Sequence, residues 1–469
     1  MAKKTKRKYY DIDISDIPFI EYTNIYVGNL TWINRGVHKS IATYDLVVRE
    51  IPKDWGFYIM DGLERYVDYL LQFKFDKEAI KVMKNLSLIN SPETEKFYKN
   101  FKFSGDVWAL PEGTIFFPGE PIVRITAPLS EANMLTALSL NAFCYPVRIL
   151  TKIARIKSAI RDTIFIAGSA ARLPGFEQGA WTIRAGALMG SPNGFYPMVY
   201  RKYPDTPLTG PRVNINHAFV KSFPTEREAF RYVLDNLQSK FEQFLVMVDT
   251  YGLERGLGQF IAESKKTKDF KQELFMISLD SGDLLKNSLY VREVLDKNGF
   301  HKIKIQAFSN LDEYKIDNLI ESGAKIDCYL PATEVSNITD NTKFEAVYKM
   351  AELRHSDGRV EQKAKLAIGK ESYPGRKQIF RVFDISHKMK EDIIGLEDEK
   401  LGEPLLKKIV KGGKQIYKFP NLNGVRAKIN QEILSLPNQY KKIRNPDKYP
   451  VKISENLGKL LESVKKQHG

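Results

Sequence analysis

The stretch ELFMISLDSGDL, residues 273–284, decides how the fold is read. Phe275 to Leu279 form a short, largely apolar run of strand length. Two carboxylates three apart, Asp280 and Asp283, follow with Ser-Gly between them, and a helical stretch comes next. The same order recurs on either side. FLVMV (244–248) leads into Asp249, IKIQAF (303–308) into Asp312 and Glu313, and KIDCYL (325–330) into Glu334. Intervals of roughly 20–30 residues are those of successive β–α units. Carboxylates placed repeatedly just after a strand gather on one rim of a parallel sheet or barrel, where such folds keep their sites. A metal- or polyol-binding rim is therefore expected.

The Asp280/Asp283 pair admits two readings. Hard cations such as Mg²⁺ need oxygen ligands and ribose hydroxyls need acceptors, so both carboxylates could serve one ligand. Equally, Asp283 could cap the next helix from an Asx-type turn. A lone histidine, His217 in NINHAFVKSF (214–223), stands beside Phe219, Val220 and Phe223 and reads by itself as a core or capping residue. TKIARIKSAIR (151–161) puts Lys152, Arg155, Lys157 and Arg161 on one helix, either a phosphate clamp or a solvated charged face. YPMVYRKYPDTP (196–207) reads as a proline-rich surface loop, with stacking on a base the sharper alternative.

The remainder of the chain frames these units. Leu63, Tyr66, Val67, Leu70 and Leu71 have helical spacing and predict a helix over 63–85. In residues 105–127, Pro-Glu-Gly and Pro-Gly-Glu punctuate short apolar stretches, the pattern of turns between antiparallel strands. Residues 129–160 read as helix-rich, and RKQIFRVFD (376–384) as a strand opening a C-terminal section. The expected division is a basic tail at 1–10, a helical and antiparallel β-rich domain at 11–150, an α/β barrel at 151–370 and an extension at 371–469.

With 469 residues, 43% apolar and 12% aromatic, the chain can bury a large core. Its two cysteines, Cys144 and Cys328, lack metal-ligand spacing and suit a reducing cytoplasm. No apolar run is long enough to cross a bilayer, so no membrane partner is expected. Lys and Arg number 72 against 57 Asp and Glu, a net charge of +15, of which five charges lie in residues 3–8. That balance favours phosphate-bearing anions; nucleic acid is not expected as a partner.

Taken in order, the blocks FSGDVWALPEGTIFFPGEPIVRITAPLSEANMLTALSLN (103–141), TKIARI (151–156), WTIRAG (181–186), NHAFVKSF (216–223), MVDTY (247–251), LDSGDL (279–284), LDEY (311–314), GAKID (323–327), VYK (347–349), LEDE (396–399) and YPVKIS (449–454) resemble the longer type of nicotinate phosphoribosyltransferase, which carries a C-terminal extension. The resemblance spans most of residues 20–455. It implies an irregular α/β barrel of the type II phosphoribosyltransferase kind joined to an antiparallel β-rich domain, usually in a homodimer. It also implies a reaction of nicotinate with phosphoribosyl pyrophosphate, coupled to ATP and assisted by Mg²⁺, within NAD salvage. His217 falls on the family's phosphorylatable histidine, and Asp280 and Asp283 on its acidic pair near ribose and metal. Arg172 and Arg184 match family arginines; Asn214, Thr333, Lys152 and Asp249 complete the expected substrate contacts.

Departures cluster at the phosphate contacts. Val213 and Asn214 stand where the family has Gly-Thr, and the paired arginines appear as Ala171 and Arg172. PNGFY (192–196) and LPAT (330–333) replace two phosphate-binding stretches, Ser278 replaces an arginine, and Asn24 a stacking tyrosine. Pro331 has no N–H to offer a phosphate. Two alternatives therefore accompany the transferase reading: a weakened or inactive relative serving as a binding, regulatory or structural subunit, and a transferase for another acceptor base.

Overall fold

The computed structural model describes residues 14–161, 163–165, 172–173, 175–191, 198, 201, 212–367 and 369–468. The basic tail, Ala171, PNGFY and most of the 196–207 stretch lie outside the described residues. Contacts group the chain into two units. One comprises residues 1–147, 343–420 and 428–469, the other residues 148–342 and 421–427.

The first unit is built on a seven-stranded antiparallel sheet. Its order is Val360–Gln362, Ala346–Arg354, Ile41–Val48, Pro121–Pro128, Asp106–Ala109, Lys407–Lys411 and Lys414–Gln415. The two turn motifs at 111–113 and 118–120 sit between strands, as their residue types require. A four-stranded sheet brings Glu403–Pro404, Lys377–Phe383, Met389–Leu396 and Val451–Ile453 together in that order. Arg381, 1% exposed, holds it by bonding Asp392 at 2.7 Å and Glu432 at 2.8 Å. The single helix expected over 63–85 is two, Leu63–Gln72 and Lys77–Asn85. Between them Phe73 and Phe75 are buried, and Asp76 caps the second helix by accepting from Ala79 N at 2.8 Å. Burial of two rings outweighs continuation of the helix.

The second unit confirms the β–α rhythm. Its strands, in chain order, are β1 (Ile164–Phe165), β2 (Arg212–Ile215), β3 (Gln243–Met247), β4 (Phe275–Leu279), β5 (Lys304–Ser309) and β6 (Cys328–Pro331). All neighbours are parallel, in the spatial order β1-β6-β5-β4-β3-β2. This is a half-barrel of parallel strands with helices between them. Strand alternation divides the side chains. Phe244, Val246, Phe275, Ile277, Leu279 and Ile305 join one apolar core with helix residues such as Phe230, Leu257 and Val291. Leu245, Met276, Cys328, Leu330 and Phe308 form a smaller cluster on the opposite face. Counting by twos along that opposite face, Leu245 leads to Asp249 and Met276 to Asp280.

Candidate active site

Every strand of β2–β6 ends on the same edge of the sheet, and each delivers a short polar segment there. After β2, Asn216 caps the helix His217–Lys221 by accepting from Phe219 N at 3.0 Å, which sets His217 as the first helical residue. After β3 come Asp249 and Thr250. After β4 come Asp280 and Ser281, then Gly282 with φ +73°, a left-handed turn that favours glycine.

Three of these residues meet. His217 Nε2 lies 3.9 Å from Asp249 Oδ1 and 3.8 Å from Asp280 Oδ2. On the other side of the ring, Nδ1 is 3.0 Å from Thr250 Oγ1. Ser281 Oγ donates to Asp249 Oδ2 at 2.9 Å and fixes that carboxylate. Asp249 is 12% exposed and Asp280 31%. Burial, then the charge of Asp249, push the Asp280 carboxyl above its ordinary range, with the charges of His217 and Arg172 opposing. Arg172 in turn donates from Nη1 to Thr333 Oγ1 at 3.3 Å, so the end of β6 is joined to the same cluster. A depression of about 340 Å³ beside Asp280 is lined by Ser281, Gly282, Asn310, Leu311 and Lys315.

The residues that follow the other strands do different work. Asp283 caps the helix Leu284–Lys297 by accepting from Lys286 N at 3.1 Å and is half exposed. Asp312 caps Glu313–Glu321 in the same way, at 2.8 Å from Lys315 N. Glu313 is fully buried against Lys152 (2.6 Å) and Arg155 (2.9 Å), and Lys152 also meets Asp340 at 2.7 Å. Neither reading of the 151–161 helix describes this: Lys152 and Arg155 are 1% and 3% exposed, and their charges are matched by carboxylates. Lys157 donates to Met189 O at 2.7 Å. Arg184 is buried, its guanidinium 5.9 Å from the Trp181 ring centre, while Asn214 is exposed on β2. Ser278 is buried and donates to Gln306 Oε1 at 3.0 Å on the neighbouring strand.

Two contributors carried no assigned role in the sequence reading. Thr250 sits inside the MVDTY block, and only its place after β3 shows that it faces the imidazole. Glu226, the first residue of the helix Glu226–Asn236, is 1% exposed. Burial pushes its carboxyl up, while the charges of Arg255 and His217 pull against that. Gly256 makes this corner possible. A Cβ there would stand 1.8 Å from Val248 O and 3.0 Å from Glu226 Oε1.

Asp249 and Asp280 have the chemistry of a Mg²⁺ site shared with a phosphate ligand. Mg²⁺ is commonly bound by one or two carboxylates plus substrate phosphates and water. Among the described residues Asp249 Oδ1 is buried with no hydrogen-bond partner, and Asp280 is raised partly by its neighbour's charge, so a cation would relieve both. Among the described residues no group of three or more His, Cys, Asp or Glu side chains could hold a metal by itself. Asp283, expected as the second ligand, is engaged as a helix cap.

Comparison with known proteins agrees with this architecture. The family model of the nicotinate phosphoribosyltransferase N-terminal domain matches residues 30–143, and that of the C-terminal domain matches residues 401–461. A nicotinate phosphoribosyltransferase of Mycobacterium tuberculosis is 29% identical over 443 residues, 94% of this chain and 92% of the relative. The Bacillus subtilis nicotinate phosphoribosyltransferase is 29% identical over 465 residues, 93% of each chain. Among solved structures, human nicotinic acid phosphoribosyltransferase superposes with a TM-score of 0.78 at 20% identity, covering 95% of this chain and all of the other. The nicotinate-nucleotide pyrophosphorylase of Pyrococcus furiosus gives 0.69 at 18%, covering 92% and 99%. At these identities the structural likenesses establish the fold. With both terminal domains matched and relatives aligned along nearly the whole length, the chain is similar to nicotinate phosphoribosyltransferases throughout most of its sequence.

Proposed function

We propose that this chain joins nicotinate to phosphoribosyl pyrophosphate, giving nicotinate mononucleotide and pyrophosphate in NAD salvage, with ATP hydrolysis coupled to the transfer. The observation that carries this reading is the meeting of His217, Asp249 and Asp280 within 4 Å at the carboxyl edge of a parallel sheet.

In the transfer, the nicotinate ring nitrogen forms a bond to the anomeric carbon as the bond to pyrophosphate breaks. Positive charge develops on the ribose and negative charge on the leaving group. Asp280 is placed to accept from ribose hydroxyls and to oppose the ribose charge. Arg172 offers a cation to the diphosphate, and Thr333, to which it is hydrogen-bonded, a hydroxyl. Mg²⁺ held by Asp249 and Asp280 together with the diphosphate would supply further neutralising charge there. For the ATP step, His217 Nδ1–H donating to Thr250 Oγ1 leaves the Nε2 lone pair free to attack the γ-phosphorus. A P–N bond forms, ADP departs, and hydrolysis later frees the imidazole. Asp283 orients the turn through its cap, and the expected homodimer in a cytoplasmic setting follows from the resemblance. Among the described residues no helix is long and apolar enough to cross a membrane.

A second reading, a catalytically weakened relative, is favoured by one set of facts. Pro331 lacks an N–H in the phosphate stretch, and Lys152 and Arg155 are taken up by Glu313 and Asp340. One assay separates the two. The full chain is incubated with nicotinate, phosphoribosyl pyrophosphate, Mg²⁺ and ATP, and mononucleotide is measured with and without His217→Ala. Product formation by the parent chain, with ATP turnover abolished in the variant, supports the transferase. Absence of product at any concentration refutes it, and ATP turnover that ignores the substitution removes the phosphohistidine role.

A further inference from the structure

Glu226 takes no part in the transfer or the ATP step described above, yet it is a carboxylate with 1% of its surface exposed, close to His217. The charges of both Asp249 and His217 act on it. Among the described residues neither of its oxygens completes a hydrogen bond of good geometry, although the Tyr251 N–H approaches closely enough to favour the ionised form. A buried carboxylate so poorly satisfied is costly. The helix Glu226–Asn236 does not require it. Thr225 Oγ1 already caps that end by accepting from Glu228 N at 3.2 Å, and Glu228 puts a second acidic residue in the first turn.

What Glu226 touches is the connection from β3 to the helix Leu253–Ser264. Its Oε1 lies 3.0 Å from the point a Cβ of Gly256 would occupy, and Val248 O lies 1.8 Å from the same point. The carboxylate is therefore wedged where the two ends of the Val248–Gly256 loop close on each other. Those ends are fixed. Gly256 N donates to Gly252 O at 3.0 Å, and the two helices pack through Phe230 and Phe260, edge to face at 5.7 Å. The turn between them is less well held. Tyr251 is 53% exposed, and Gly252 is exposed at φ +124°, so neither anchors the turn by packing. Yet this turn carries the two groups that set the imidazole: Thr250 Oγ1 at 3.0 Å from Nδ1, and Asp249 Oδ1 at 3.9 Å from Nε2.

We infer that Glu226 is a positioning residue: its buried carboxylate holds the Tyr251 N–H from inside the turn and so keeps Thr250 and Asp249 facing His217. The inference rests on the proposed role of His217. Its consequence is chemical. With Thr250 in place the ring proton stays on Nδ1, and Nε2 keeps its lone pair for phosphorus. Ser281 Oγ independently fixes Asp249 through Oδ2 at 2.9 Å, so Thr250 is the member that depends most on the turn.

The test reads the tautomer directly. The full chain is labelled with ¹⁵N-histidine, and the His217 ring signals are assigned by their loss in His217→Gln. At alkaline pH the parent ring should carry its proton on Nδ1. Glu226→Gln should keep it there, because an amide oxygen still accepts from Tyr251 N. Glu226→Ala should give a mixture of both tautomers. Glu226→Asp keeps the charge but draws the carboxylate back by one methylene; it should behave as the alanine variant does, and it decides the matter if the alanine variant does not fold. ATP turnover by Glu226→Ala should fall about tenfold or more with KM for nicotinate unchanged. Adding Thr250→Val should cost little further, because both substitutions act on one contact. A tautomer indifferent to Glu226→Ala and Glu226→Asp, a glutamine variant as impaired as the alanine one, or fully additive effects with Thr250→Val would each overturn the assignment. A parent that holds the Nδ1 proton, loses it in Glu226→Ala and turns over no ATP would instead overturn the phosphohistidine reading and leave the positioning role intact.

Discussion

Asp280→Asn should make the protein more stable and catalytically inert at once. The two carboxylates beside His217 Nε2 stand 3.9 and 3.8 Å from it, so the oxygens concerned are at most about 7.7 Å apart. Two unit charges at that distance repel by about 2 kcal/mol at an effective dielectric of about 20. Asp280 is about a third exposed, and the charges of His217 and Arg172 offset part of the repulsion, so a net gain of about 1 kcal/mol on removing the charge is the reasoned figure. For a unit of this size that corresponds to a rise of about 2–4 °C in melting temperature. The pH dependence has a definite sign. A carboxyl whose folded pKa is raised binds its proton more tightly in the native state. Its contribution is therefore fully present below the unfolded pKa and is lost as pH rises through the raised folded value. The advantage of the Asn variant should accordingly be largest near neutral pH and shrink as the medium is acidified through that window. Differential scanning calorimetry of both proteins across that range measures it, with mononucleotide formation followed in parallel. Activity should fall by about 10²-fold or more, as for loss of a group that stabilises transition-state charge. A variant that melts lower than the parent at neutral pH would refute the reasoning, since the carboxylate would then be a net stabilising partner of Arg172 or His217.

Other substitutions probe the remaining assignments. Thr250→Val removes the oxygen 3.0 Å from His217 Nδ1 and should lower ATP-coupled turnover about tenfold while leaving the melting temperature within about 2 °C, since one modest hydrogen bond is lost. Lys152→Met should destabilise the protein by about 3 kcal/mol in denaturant titration, at the lower end for a broken buried pair because Arg155 still holds Glu313. If Lys152 instead contacted substrate phosphate, stability would be kept and KM for phosphoribosyl pyrophosphate would rise. Gly256→Ala should cost about 1–3 kcal/mol or more, read the same way, because its methyl group would overlap Val248 O.

Much of the second unit was legible in the sequence. Short apolar runs with the right spacing define β–α units, and chain order along a parallel sheet sends every strand's exit to one edge. The residues after those exits could thus be named in advance, and the family resemblance singled out His217 among six histidines. What the pattern could not distinguish was the role of each acidic residue. A carboxylate between a strand and a helix looks the same in one dimension whether it faces a ligand, caps the helix or is buried against a cation. Tertiary packing separated them: Asp249 and Asp280 lie on the strand face that turns toward His217, Asp283 and Asp312 spend their oxygens on backbone N–H groups, and Glu313 is matched to Lys152 and Arg155. The helix at 151–161 makes the same point, because a run of lysines and arginines signals charge but not what neutralises it. Periodicity is a property of neighbours along the chain and survives in the sequence. The pairing of charges depends on residues as far apart as 152 and 340, and only the folded backbone brings those within reach.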